Sequence, residues 1–315
     1  MKPLLILLLV FLLVISGCGC RQPDIVLHHL FAGKDSTAPT LISWEMADPQ
    51  TIRITFDESV RMTTTPFSIT DNRIVTQTVT KSTLTLVLER PMALATSDTL
   101  EGRIEDLSGN SRHFSIEIWA KNPTPAMLLI NEFTTKGTTT NPDRVELVVT
   151  ARGNLAGLTL YVGTAHSYSD RIVFADQWVE RGKYLVVRFK ESDSDTSEYH
   201  SQELTGLGTN NGCLSLALTP EWESPVIDAV VWGNMSTTTF EGFGSAALLA
   251  QVNYLFEKEQ WYSTKSGDSI DSTTSTATRS FCRYRFSDTN SAEDWYICDT
   301  REASFGGINS EKRYE

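Results

Sequence analysis

The feature that most limits this chain is a two-residue hydrophobic rhythm, interrupted every few residues by polar turns. Ile52, Ile54 and Phe56 alternate with Thr51, Arg53 and Thr55. Leu84, Leu86 and Leu88 alternate with Thr83, Thr85 and Val87, and Phe114, Ile116 and Ile118 with Ser115 and Glu117. A strand with one face on a core requires this period, because successive side chains point to opposite faces. Asp71-Asn72 and Ser108-Gly109-Asn110 separate the runs as turn formers do. About seven short strands in ~80 residues predict an immunoglobulin-like sandwich over 37–120.

Two prolines, Pro123 and Pro125, then disfavour both helix and central strand, which marks 121–126 as a linker. Beyond it, strands are expected at Met127–Phe133, Arg144–Ala151, Leu158–Val162, Arg171–Ala175, Lys183–Phe189, Cys213–Leu218 and Val226–Trp232. One helix is expected over Gly244–Gln260, where Ala247, Leu248, Val252, Leu255 and Phe256 recur at three- and four-residue steps. The expected fold class is all-β. It comprises two β-sandwich (immunoglobulin-like) domains in tandem, 37–120 and 127–309, the second with one added amphipathic helix.

The chain opens on Lys2 and an apolar run from Leu4 to Ile15. At ~1.5 Å per helical residue this run is too short for a hydrocarbon core of ~30 Å, and it suits a signal peptide. The following Ile15-Ser16-Gly17-Cys18 resembles the lipobox of bacterial lipoproteins. That resemblance implies removal of 1–17, acylation of Cys18 and a lipidated tether over 18–36, with the membrane as partner through the anchor. Two or more acyl chains suffice physically, each buried CH₂ contributing ~0.8 kcal/mol. Gly19 after the cysteine, rather than Asp, implies sorting to an outer membrane in a cell that has one.

Two resemblances cover the rest. Ile54-Thr55-Phe56-Asp57-Glu58-Ser59-Val60 and Ile104-Glu105-Asp106-Leu107-Ser108-Gly109-Asn110 resemble a strand end and a late turn of bacterial Ig-like domains of the surface-layer type. Leu129-Ile130-Asn131-Glu132-Phe133, Val145-Glu146-Leu147, Leu155–Leu160, Gly182–Val187 and Val226–Val230 resemble successive strands of lamin-tail domains. Arg279, Asp294-Trp295 and Phe305–Asn309 are similar to the close of bacterial members, with Ser304-Phe305 where Thr-Pro is usual.

The five cysteines are Cys18, Cys20, Cys213, Cys282 and Cys298. In an export compartment disulfides persist. Cys282 and Cys298, which bracket a short loop, are the expected pair, and their bridge would contribute ~3 kcal/mol. Cys213 lies in an apolar run and is expected to be a buried free thiol.

Candidate site residues are few. Glu132 and Glu146 fall on strands that are adjacent in the lamin-tail fold. Two close carboxylates can serve acid/base chemistry or hold a cation, although such glutamates more often accept hydrogen bonds from loop amides. Glu191, Asp193, Asp195 and Glu198 place carboxylates along one loop, which supplies oxygens for Ca²⁺ or is simply a solvated acidic loop. His28-His29 lacks the further ligands that zinc needs, and no other metal site is expected. Arg279, Arg283 and Arg285 interleave with Phe281, Tyr284 and Phe286. On a strand Arg283 and Arg285 would share one face, making an anion or single-strand platform, or merely the basic strip of an outer sheet face. A net charge of −12 argues against nucleic acid, whose phosphates call for a basic surface.

No catalytic residues are expected. Gly242-Phe243-Gly244-Ser245-Ala246-Ala247 matches the dinucleotide fingerprint only formally, because no strand ends directly before it and no βαβ unit follows. Lys265-Ser266-Gly267 lacks the Ser-x-x-Lys partner of penicillin-binding enzymes. The sequence therefore points to a lipid-anchored envelope protein without cofactor, acting as an interaction or adhesion module for a protein or glycan. A purely structural envelope component is the alternative, and a hydrolase-associated one lies further off.

Overall fold

The computed structural model describes residues 35–315 except 139, 190–198 and 202–205. Among the described residues it is mostly strand, with a single α-helix. The expected signal peptide over 1–17, Cys18, Cys20, His28-His29 and the acidic residues Glu191, Asp193, Asp195 and Glu198 lie outside the described residues. Among the described residues no helix is long and apolar enough to cross a membrane.

The N-terminal sandwich uses β1 (Leu41–Asp48), β2 (Thr51–Phe56), β3 (Val60–Met62), β4 (Ser68–Ile69), β5 (Ile74–Thr80), β6 (Thr83–Leu88), β7 (Ser97–Asp106) and β8 (Ser111–Trp119). One sheet runs β1-β2-β6-β5; the other has β7 between β3 and β4 on one side and β8 on the other. In β2 and β6 the alternating residues Ile52, Ile54, Leu84 and Leu86 are wholly buried, so the two-residue rhythm is the inner face of a sheet. Phe56, Phe67 and Phe114 close this core.

The C-terminal sandwich packs a six-stranded sheet on a five-stranded one. The first runs β16 (Tyr199–His200), β15 (Tyr184–Arg188), β10 (Arg144–Ala151), β9 (Met127–Phe133), β20 (Phe281–Arg283) and β21 (Trp295–Ile297). The second runs β13 (Ser167–Val173), β12 (Thr159–Thr164), β17 (Gly212–Ala217), β18 (Val226–Gly233) and β19 (Ile270–Asp271). A short pair, β11 (Gly153–Asn154) and β14 (Trp178–Val179), stands apart. Phe133 sits at the centre of the core, with ring centroids of Phe281, Trp232 and Trp295 at 4.7, 5.1 and 5.4 Å. Truncating so large a buried ring typically costs about 3–5 kcal/mol.

Helix α1 (Ala246–Glu257) begins at Ser245, whose side chain accepts the Leu248 N–H at 3.2 Å. It lies over β12 and β17, burying Leu248, Val252 and Leu255. The Gly242–Gly244 stretch before it is a turn, with φ of +92° and +82° at the two glycines. A Cβ at Gly242 would meet the Ser266 side chain at 2.0 Å. Its glycines thus answer to chain geometry and close packing.

The two hydrophobic cores are separate: Ala120 belongs to the first and Ala126 to the second. The segment between them is pinned. Asn122 donates to the carbonyls of Asn154 and Ala156, each at 2.9 Å, and Lys121 donates to the Ala47 carbonyl at 2.6 Å. Across the junction the Trp119 N–H donates to Glu221 at 3.1 Å. Burial, opposed by that bond, pushes the Glu221 carboxyl up to about 7.

Candidate functional site

Pairing across the six-stranded sheet sets Val186, Glu146, Glu132, Cys282 and Tyr296 side by side, one from each of β15, β10, β9, β20 and β21. Their sequence neighbours Phe133 and Phe281 fill the aromatic core, so alternation turns Glu132 and Cys282 to the sheet's other face. That face is covered by the C-terminal segment. Ser304 donates its N–H to both Glu132 carboxylate oxygens, at 2.9 and 3.2 Å, and its hydroxyl to one of them at 3.0 Å. Gly306, at a φ of +91° that favours glycine, donates its N–H to Glu146. Asn131 donates to Glu146 at 2.7 Å, and Asn309 donates to the carbonyls of Asn131 and Arg283 at 3.1 and 2.8 Å. Arg144 rests over the Phe305 ring, 4.1 Å from its centroid, and holds the segment down.

The structure therefore brings Glu132 and Glu146 together, and both are fully buried. Burial pushes Glu146 up to about 7; the Glu132 charge adds to this, while the bonds from Asn131 and Gly306 oppose it. Among the described residues neither carboxylate has a Lys or Arg partner; every donor to them is neutral.

The expected Cys282–Cys298 disulfide is not formed. Both cysteines are buried free thiols, as is Cys213. The register supplies the reason. Cys282 pairs with Tyr296, and the Cys298 N–H bonds the Ser280 carbonyl, so the two cysteines are diagonal rather than directly opposed. The Ser280 hydroxyl sits among them. It donates to Glu132 and lies 3.0 Å from the Cys298 sulfur and 3.5 Å from that of Cys282. One carboxylate oxygen of Glu132 and the two sulfurs all lie within 4.8 Å of one another. The interaction between the two neighbouring thiols, reinforced by burial, pushes Cys282 up, and the same interaction brings Cys298 down.

Beside this buried row opens a groove of about 680 Å³. The chain turns sharply here, and that turn breaks the expected basic strip. β20 ends at Arg283, and Arg285 and Phe286 follow in left-handed conformations, with φ of 48° and 61°. Such non-glycine positions cost on the order of 1–3 kcal/mol each and cluster where a surface is built for a purpose. Asp294 helps to hold the turn, its carbonyl accepting the Tyr284 N–H at 2.7 Å and its carboxylate the Ser287 hydroxyl at 2.6 Å. Arg283 and Arg285 consequently part company. Arg283 is buried on Asp228, while Arg285 is exposed and pairs with Glu311 at 3.3 Å. Phe286 and Ile308 stand 46% and 82% exposed at the groove, an unusual display for apolar side chains near one another.

Arg313 sits in the groove between two rings, 4.8 Å from the Tyr284 centroid and 4.5 Å from that of Tyr296. It makes no ion pair among the described residues. Sequence reading missed it, together with Tyr184 and Tyr296. The one local signal was the Lys312-Arg313-Tyr314 cluster at the far end of the chain. Elsewhere, Asp35, Glu58 and Asp106 converge at one end of the first sandwich, where burial and the charges of the two aspartates push Glu58 up.

No curated protein matches the chain. It is similar to the crystal structure of the N-terminal part of the bacterial S-layer protein SbsC, with 15% identity over 61% of this chain and 42% of that one, at a TM-score of 0.27. A second S-layer structure, of rSbsC(31-844), gives 12% identity over 62% of this chain and 41% of that one, at a TM-score of 0.26. The chain spans about two fifths of the length of these structures, and superpositions of that quality carry no weight for fold or function. The family model TP_1001_2nd, described as "protein second domain", matches residues 126–213 and 201–297, which together make up more than half of the chain and coincide with the C-terminal sandwich. By that match the chain belongs to the TP_1001 second-domain family.

Proposed function

We propose that this chain is a non-catalytic envelope protein, held to a membrane through Cys18, whose C-terminal sandwich binds an acidic glycan in the Tyr284–Arg313 groove. The observation that carries the reading is Arg313: a guanidinium in the groove 4.8 and 4.5 Å from the ring centroids of two tyrosines, with no ion pair to a carboxylate among the described residues. Aromatic faces with exposed Phe286 and Ile308 suit the apolar faces of sugar rings, and a positioned arginine suits a sugar carboxylate. Asn131, Asn309 and Glu311 add hydrogen-bonding groups for hydroxyls. Such a site resembles small-ligand pockets generally, apolar walls with a few placed polar groups.

The anchor reading rests on the Ile15–Cys18 lipobox-like segment. A glycan array probed with the protein tests the ligand class. Signal concentrated on uronate-bearing or otherwise carboxylated saccharides supports the reading, and signal confined to neutral saccharides rejects it.

A further inference from the structure

We infer that Glu132, Cys282 and Cys298 form a structural binding site for a thiophilic divalent cation, Zn²⁺ being the best match, at the seam between the six-stranded sheet and its C-terminal cover. Three strands meet here. Glu132 lies on β9 directly opposite Cys282 on β20, and Cys298 follows β21 immediately. All three donor atoms lie within 4.8 Å of one another, and all three residues are fully buried. The Ser280 hydroxyl, already in contact with each of them, completes the donor set.

The chemistry of this set favours zinc. Two thiolates and a carboxylate suit a borderline-soft ion with no geometric demand of its own, whereas Ca²⁺ and Mg²⁺ require oxygen shells. Ligands at ~2.0–2.3 Å from zinc sit within roughly 4 Å of one another. Closing the present set around an ion therefore takes about 1 Å of side-chain movement, well within rotamer play. Burial matters equally. Two adjacent carboxylates, Glu132 and Glu146, lie in a dry layer with only neutral donors among the described residues, a place where a cation is electrostatically welcome. Binding releases the two thiol protons to solvent and forms two Zn–S bonds without any redox change.

The diagonal register tells against the rival outcome. A disulfide between Cys282 and Cys298 would use both sulfurs and leave the Glu132 carboxylate buried with hydroxyl and amide partners alone. A closed site of this kind would clip β9, β20 and the end of β21 together beneath the 304–309 segment, as structural zinc does in small β-rich modules.

The test uses the full chain, reduced and then freed of reductant, titrated with Co²⁺ as a spectroscopic stand-in for zinc. The proposal expects one Co²⁺ per chain, with a thiolate-to-cobalt charge-transfer band in the near ultraviolet and d–d bands of tetrahedral intensity, both bleached by Zn²⁺. Cys282→Ser and Cys298→Ser should each weaken binding by about tenfold or more, by analogy with lost supporting contacts at metal sites. Cys213→Ser should leave the spectrum unchanged, since that thiol bonds Gln251 on α1. Glu132→Gln, which keeps most of the hydrogen bonds, should shift the bands and weaken binding while the protein stays folded by circular dichroism. Absence of a charge-transfer band in folded, reduced protein would overturn the site. So would a band that survives loss of either cysteine, or isolation of the untreated protein with Cys282 and Cys298 joined in one oxidised peptide.

Discussion

Arg283 holds Asp228 through one nitrogen placed 2.7 Å from each carboxylate oxygen, and both side chains are almost wholly excluded from water. The pair joins the two sheets of the C-terminal sandwich, since Arg283 ends β20 and Asp228 lies on β18. Every other polar atom of the pair is engaged. Arg283 also donates to the Ile130 carbonyl at 2.6 Å and the Ser287 carbonyl at 2.8 Å, and Asp228 accepts the Ile130 N–H at 2.6 Å. The guanidinium lies over Trp295, 4.7 Å from the ring centroid. Burial still lifts Asp228 to about 6 against the pull of Arg283.

Removing one member should therefore be severe. Arg283→Met leaves Asp228 in the core without its cation, so that it must take up a proton or stay as a bare buried charge, and urea unfolding of the C-terminal sandwich should show a loss of about 3–5 kcal/mol. Arg283→Lys should recover little of this, because an ammonium cannot reach the carboxylate, the Ile130 carbonyl and the Ser287 carbonyl together. A loss under ~1 kcal/mol in Arg283→Met would show that the pair does not hold the sheets.

Glu221 makes the junction between the sandwiches sensitive to pH. Its folded carboxyl titrates near 7, above the ordinary value of 4.5, so the folded state binds the proton more tightly than the unfolded state does. The stabilising contribution is complete below about pH 4.5 and is lost as pH rises through 7. At a partly exposed position this amounts to about 1–2 kcal/mol after solvent screening. Glu221→Gln keeps an acceptor for the Trp119 N–H and removes the titration. Wild type should lose stability relative to this variant between pH 5 and pH 8; parallel profiles would refute the assignment.

Much of the fold was visible in the sequence, for reasons that differ by domain. In β2 and β6 one face meets the core and the other meets water, so a period of two appears in plain view. β9 and β10 read as near-continuous apolar runs because both of their faces are covered, one by the aromatic core and the other by residues 304–309. That second cover explains what was missed. Ser304 meets Glu132 across 172 residues of chain, a contact no local pattern announces. Glu132 and Glu146 were legible as a pair, and bonding to loop amides as the commoner role of such glutamates, whereas which loop supplies the amides was not. The spacing of Cys282 and Cys298 was legible, whereas their diagonal register depends on where β21 starts. Arg283 and Arg285 looked alike in sequence but part where β20 ends, Arg285 being itself the first of two left-handed residues, with no glycine to signal the turn.

The anchor is tested without the structure. Cys18→Ala should abolish metabolic labelling with palmitate and leave the precursor uncleaved or the product free of the membrane, read by fractionation. Labelling that persists in the variant would remove the lipid from the account and leave the two sandwiches to reach the envelope by another route.

The groove is the centre of the functional account, and calorimetric titration tests it most directly. The ligands are a uronate oligosaccharide and its carboxyl-reduced, neutral counterpart. Arg313→Ala and Tyr284→Ala are compared with wild type, each checked for an unchanged unfolding midpoint. Wild type should bind the acidic saccharide and bind the neutral one at least about tenfold more weakly, a hydrogen-bonded charge being worth roughly 1.5–3 kcal/mol. Arg313→Ala should abolish that preference, and Tyr284→Ala should weaken both. Equal affinity of wild type for the two saccharides, or acidic-saccharide binding that survives in both variants, would contradict the account.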